Sequence, residues 1–147
     1  MKAKLIFWSW LPTFIILLSI NGIFHMKIAA PFFDAYLHQL SPTIRSMRDA
    51  DPVWIVLLDS MVSICMVYFI TYRMDGTNID RKASMISAAL INFIAAVAWN
   101  FANQAMFPWS LTVTINDVLW HTVVGAGGGL LFFTFFKRLH NYFSNRK

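Results

Sequence analysis

The 147-residue chain has no glutamate, one cysteine and little charge of either sign; only 13% of residues are charged, and all seven acidic residues are aspartate. Without glutamate, H-E-x-x-H zinc chemistry and Glu-dependent proton coupling are excluded. The lone Cys65 excludes an intramolecular disulfide, and its place in an apolar run fits a small core residue better than a reactive thiol. No Lys-Ser or Lys-Thr follows the glycine-rich run Gly125-Ala126-Gly127-Gly128-Gly129, which removes a phosphate-binding loop. Internal repeats and low-complexity segments are also missing.

What the chain does hold is apolar: 58% of residues are hydrophobic, 16% are aromatic and the mean hydropathy is +0.57. This composition predicts an all-α integral membrane protein. With roughly 20 apolar residues needed to cross the hydrocarbon core, four spans are expected near 8–29, 53–72, 84–107 and 115–136. They form a four-helix bundle, a single transmembrane domain over 1–147 with no soluble domain left over. Lys2 and Lys4 before an apolar run ending at Ala29-Ala30 also resemble a signal peptide, but Asn21, His25 and Lys27 make a poor approach to a cleavage site. Pro12 fits a position near the start of the first helix.

Lys and Arg set the expected orientation. With both termini cytoplasmic, nine of the 12 basic residues lie inside (Lys2, Lys4, Arg73, Arg81, Lys82, Lys137, Arg138, Arg146, Lys147), against Lys27, Arg45 and Arg48 outside. The positive-inside rule then predicts N-in, C-in, and the pI of about 9.7 reflects topology and anionic headgroups rather than nucleic acid. Between spans 1 and 2, Phe32, Phe33, Tyr36, Leu37 and Leu40 recur at helical spacing, predicting a short amphipathic interfacial helix. Asp75-Gly76 marks an inner turn and Phe107-Pro108-Trp109 an outer break, while Trp8, Trp10, Trp54 and Tyr72 fit interfacial anchors.

Polar residues inside the spans carry the functional reading. At about 1.5 Å per residue, His25, Asp59, Asn100 and His121 fall at a common depth of roughly 6–11 Å below the outer boundary. Asn21 shares a helix face with His25. On the third span Asn100, Asn103 and Gln104 share a face, and on the fourth Asp117, Trp120 and His121 repeat that spacing. An Asp four residues before a His accepts a ring N–H or favours imidazolium, which makes Asp117 and His121 the strongest local pair. Asp59 has no such neighbour and needs another helix, water or a proton. Asn21, Asn92 and Gln104 read as interhelical hydrogen-bonding groups; Asp59, Asp117 and His121 read as functional, because a carboxylate is a costly way to join helices in lipid.

The expected site therefore comprises His25, Asp59, Asn100, Asn103, Asp117, Trp120 and His121, forming an outward-facing pocket that binds or transports a small molecule, ion or lipid. The alternatives are a membrane enzyme acting on a lipid or quinone, with His121 as base and Asp117 orienting it, and an accessory subunit of a larger complex. No nucleophile or electrophile is identifiable for the enzyme. His25, Asp59, Asp117 and His121 offer two His and two carboxylates, but no close ligand motif supports a metal, and a bis-His haem through His25 and His121 is weaker still, so no cofactor is assigned. For packing, Gly125 and Gly129 form G-x-x-x-G, and Ser84, Ala88, Ala95, Ala98 and Ala102 form a small-residue stripe. These surfaces meet within the chain or join copies, making a homo-oligomer through Gly125/Gly129 an expectation. The glycines are also a candidate hinge.

Pro108-Trp109 followed by Asn116-Asp117-Val118-Leu119-Trp120-His121 resembles the D-x-x-W-G end of an uncharacterised family of small four-helix bacterial membrane proteins, with His121 in place of the Gly. Thr71-Tyr72 with Thr77-Asn78 is similar to its T-Y-D-L-T-N element, interrupted here by insertion. The resemblance implies a bacterial cytoplasmic membrane and carries no activity.

Overall fold

The computed structural model describes residues 2–31, 34, 52–72, 78–106 and 111–145. Helix α1 (Lys2–Ile23) continues into a π-helical turn, Phe24–Ala29; α2 is Pro52–Tyr72, α3 Arg81–Met106 and α4 Leu111–Ser144. The expected interfacial helix, the Asp75-Gly76 turn and the Phe107-Pro108-Trp109 break lie outside the described residues.

The helix ends follow from local chemistry. Pro52 opens α2, where its fixed φ and missing N–H cost nothing. Asp80 caps α3, its Oδ1 accepting the Ala83 N–H at 2.6 Å, so Arg81 and Lys82 join a helix expected to begin at 84. Lys137 and Arg138 likewise extend α4 past 136, as good helix formers do. Pro12 stands in the interior of α1 rather than near its start, because the helix already begins at Lys2. Transmembrane helices tolerate such a residue where neighbours re-satisfy the freed carbonyl.

Contacts run around a ring: α1 packs on α2 and α4, α2 on α3, and α3 most extensively on α4, with little across the diagonal from α2 to α4. Neighbours are antiparallel. Lys4 sits over the Phe143 ring while His25 meets His121, which places both ends of the chain at one end of the bundle. Trp10 donates to the Ser63 hydroxyl at 3.0 Å, tying α1 to α2.

Polarity is distributed as a lipid-embedded bundle requires. Four helices are long and apolar enough to cross a membrane. Their outward faces carry large apolar side chains such as Ile15, Met61, Phe69, Leu90, Phe101 and Val123, whereas Asn21, Ser63, Asn92, Asn100 and Asp117 are buried. Cys65, expected in the core, lies on the outward face. The interior divides along its length. Towards the termini it is closed by apolar side chains, including Leu5, Met66, Ile70, Phe132 and Phe136, with hydroxyls such as Ser9 and Thr13 bonded to their own helix; the far half holds the Asn, Asp and His groups.

Glycines fix the tightest interface. A Cβ on Gly129 would collide with the Ser84 backbone, and one on Gly125 would lie 2.7 Å from the Asn92 Cβ and 2.8 Å from the Ala88 carbonyl. The Gly125/Gly129 face is thus filled by α3 of the same chain, and is not the free surface that the expected homo-oligomer contact needs. The α3 residues facing it are Ser84, Ala88 and Asn92, continuing to buried Ala96 and Asn100, whereas Ala98 and Ala102 of the expected stripe point outward. Helix α4 runs unbroken through the glycines, so they close a packing surface within a continuous helix.

Candidate functional site

The π-helical turn positions the first functional side chain. Wider than α-helix, it begins one residue before His25, and the Ala30 N–H reaches back to the His25 carbonyl. Such turns recur at functional sites because they re-aim side chains. The turn is held against α4 by Phe24, whose ring stacks on Trp120 with centroids 3.9 Å apart and planes 11° apart. Next to that stack, the His25 and His121 rings lie 5.3 Å apart, with their Nε2 atoms separated by 3.3 Å.

Asp117 and His121 share a face of α4, as their spacing predicts, with Asp117 Oδ1 at 3.6 Å from His121 Nε2. From α3, the Asn100 side-chain amide donates to Asp117 Oδ2 at 2.7 Å and to its own helix at Ala96 O, 2.9 Å. Both Asn100 amide hydrogens are therefore used, and one Asp117 oxygen is held while the other faces the histidines. His25, Asp117 and His121 each present a ligand atom, all within 4.8 Å of one another. The sequence offered these residue types but no motif for a metal; the meeting of α4 with the turn that ends α1 creates the grouping.

Asp59 lies on α2 beside this cluster, within electrostatic reach of His121 and facing Asn21. It lines a narrow cleft with Asn21, Ser63 and Asn92, floored by Leu17, Met66 and Val124. The cleft has room for about one water molecule. Among the described residues, Asp59 Oδ2, Asn21 Oδ1, His25 Nδ1 and Trp120 Nε1 are buried without hydrogen-bond partners. Unsatisfied buried polar atoms cost free energy, so several together mark a place built for more than packing.

Of the expected site residues, His25, Asn100, Asp117, Trp120 and His121 come together, with Asp59 adjacent. The Asn103 side chain, like that of Gln104, lies outside the described residues. Sequence reasoning placed Asn21 and Asn92 among helix-joining groups, whereas both line the cleft. Two four-residue steps, from Asn92 to buried Ala96 and on to Asn100, are the signal that joins Asn92 to this face. Phe24 was missed, since nothing in the local sequence announces a π-helical turn.

The family model described as "Predicted membrane protein (DUF2177)" matches residues 6–134. The chain belongs to this family. The DUF2177 match takes in every residue of the cluster and the cleft, and agrees with the uncharacterised membrane family that the sequence resembles. No curated protein and no solved structure matches the chain.

Proposed function

We propose that this DUF2177 protein binds and carries a small ion through the polar half of its bundle. The observation that carries the reading is the layer of buried Asn100 and Asp117 with half-buried His25, Asp59 and His121, which retains unpartnered polar atoms inside a membrane body of mostly apolar side chains. Cleft size favours an ion over an organic molecule or lipid headgroup, since about one water fits. With both termini cytoplasmic, the polar half opens outward and the Phe132/Phe136 region separates it from the cytoplasm. The enzyme reading is weaker, because His121 Nε2 is turned towards His25 and Asp117 rather than towards a substrate space.

The test is flux into proteoliposomes containing the purified chain, read with ion- and pH-sensitive dyes under an imposed gradient. Wild-type protein should move an ion above the empty-vesicle rate, and Asp59→Asn should reduce that flux about tenfold or more by removing a membrane charge. Equal flux in Asp59→Asn and wild type would sink the proposal.

A further inference from the structure

We infer that His25, His121 and Asp117 form a binding site for a zinc-class divalent transition metal; this inference rests on the reading that the polar layer binds a small ion. The distances carry it. Two nitrogens bound to zinc at about 2.0–2.1 Å in tetrahedral geometry stand about 3.3–3.4 Å apart. His25 Nε2 and His121 Nε2 are 3.3 Å apart, and the next edge, to Asp117 Oδ1, is 3.6 Å. The third edge closes within the 4.8 Å that encloses all three ligand atoms. Two residues four apart on one helix and a third from a neighbouring helix thus supply one face of a tetrahedron, leaving its fourth corner open.

Protons alone serve this arrangement poorly. If His25 Nε2 carries the proton and donates to His121 Nε2, no proton lies between His121 Nε2 and Asp117 Oδ1, 3.6 Å away. If His121 Nε2 carries it, neutral His25 is protonated at Nδ1, which is buried and has no acceptor among the described residues. A cation at the meeting point accepts both nitrogen lone pairs and the carboxylate together.

The surroundings match a ligand shell as well. Asn100 grips Asp117 Oδ2 and leaves Oδ1 towards the histidines, as outer-shell groups orient ligating carboxylates. The Phe24–Trp120 stack fixes the turn that delivers His25. Charge also balances: two neutral imidazoles, a dication and the Asp117 carboxylate leave one positive charge, which an ionised Asp59 nearby cancels. A low-dielectric site requires such compensation. Imidazole with carboxylate suits zinc and its transition-metal neighbours, whereas magnesium and calcium take oxygen ligands.

The experiment is equilibrium dialysis of metal-stripped full-length protein in lipid nanodiscs against Zn²⁺, with the visible spectrum of the Co²⁺ form recorded in parallel. Wild type should bind one Zn²⁺ per chain, and its Co²⁺ form should show the intense d–d bands of low-coordinate geometry. His25→Gln, His121→Gln and Asp117→Asn should each weaken binding by more than about 100-fold at unchanged helicity, while His140→Gln leaves it intact. No stoichiometric Zn²⁺ in wild type, binding unchanged in His25→Gln, or only the weak spectrum of hydrated Co²⁺ overturns the site; the wild-type spectrum decides even if a variant fails to fold. Flux that depends on Asp59 without Zn²⁺ binding defeats this inference and leaves the carrier reading standing. Bound Zn²⁺ with no flux of any ion defeats the carrier and leaves the site.

Discussion

Asn100 on α3 and Asp117 on α4 are joined by a 2.7 Å hydrogen bond in the buried interior, where the amide orients the only carboxylate that faces both His25 and His121 among the described residues. The bond links the most extensive helix interface to the candidate site. Its two consequences, for stability and for binding, are separable.

Replacing Asn100 with Ala leaves Asp117 Oδ2 buried without its donor, which should destabilise the bundle by about 1–3 kcal/mol. Asn100→Asp should cost more, since a second carboxyl would face the first at hydrogen-bond distance. Reversible unfolding in mixed micelles measures both. Equal stability of wild type and Asn100→Ala would mean that water replaces the amide at no cost. Zn²⁺ affinity of Asn100→Ala should fall about 10–100-fold, as outer-shell substitutions usually produce.

Binding should weaken in acid. An imidazole ligates only when its ligating nitrogen is deprotonated, so protons compete with the metal and Zn²⁺ affinity should decline as the solution is acidified. Asp117 of α4 faces both histidines, and Asp59 of α2 lies near His121. Dialysis from pH 8 to pH 5 checks the sign. Affinity that is flat or rises on acidification contradicts ligation by His25 and His121.

The glycines divide into two classes that sequence alone does not separate. Gly129 abuts the Ser84 backbone, and a side chain there forces α3 and α4 apart. Gly127 faces open space, and alanine there gains about 1 kcal/mol of helix propensity without a clash. Gly129→Leu should therefore lower the unfolding midpoint markedly and Gly127→Ala should hold or raise it. The same ranking should appear in monomeric protein, because the contact lies within one chain. Loss of oligomers with no change in monomer stability for Gly129→Leu would contradict this packing.

The spans were legible because lipid imposes a length and an apolar face, and Asp117 with His121 was legible because i, i+4 spacing places two side chains together on any helix. The meeting of His25 with His121 was visible only as similar depth. Which faces meet depends on the ring order of helices and on a π-helical turn with no local signature, and neither follows from spacing. Cys65 was misplaced for a related reason: in a bundle buried in lipid, an apolar position mid-span serves the outside as readily as the core. Asn92 shows the opposite error, a polar residue whose bond to Ala88 O fits simple packing but whose other side lines the cleft.

Trp120 separates stacking from hydrogen bonding at the site. Its indole N–H is buried without a partner among the described residues, while its ring lies 3.9 Å from Phe24. The indole therefore acts through its face, and aromatic pairs of this kind contribute about 0.5–1.5 kcal/mol beyond area burial. Trp120→Phe keeps a ring against Phe24 and relieves an unsatisfied donor, so Zn²⁺ affinity and stability should stay close to wild type. Trp120→Ala removes the surface that holds the π-helical turn to α4, and His25 should then move away from His121. Histidine ring resonances followed by NMR during Zn²⁺ titration would detect this: both rings should shift together in wild type and Trp120→Phe, and His121 alone in Trp120→Ala. Coupled shifts persisting in Trp120→Ala would show that the turn is held by the backbone rather than by the stack.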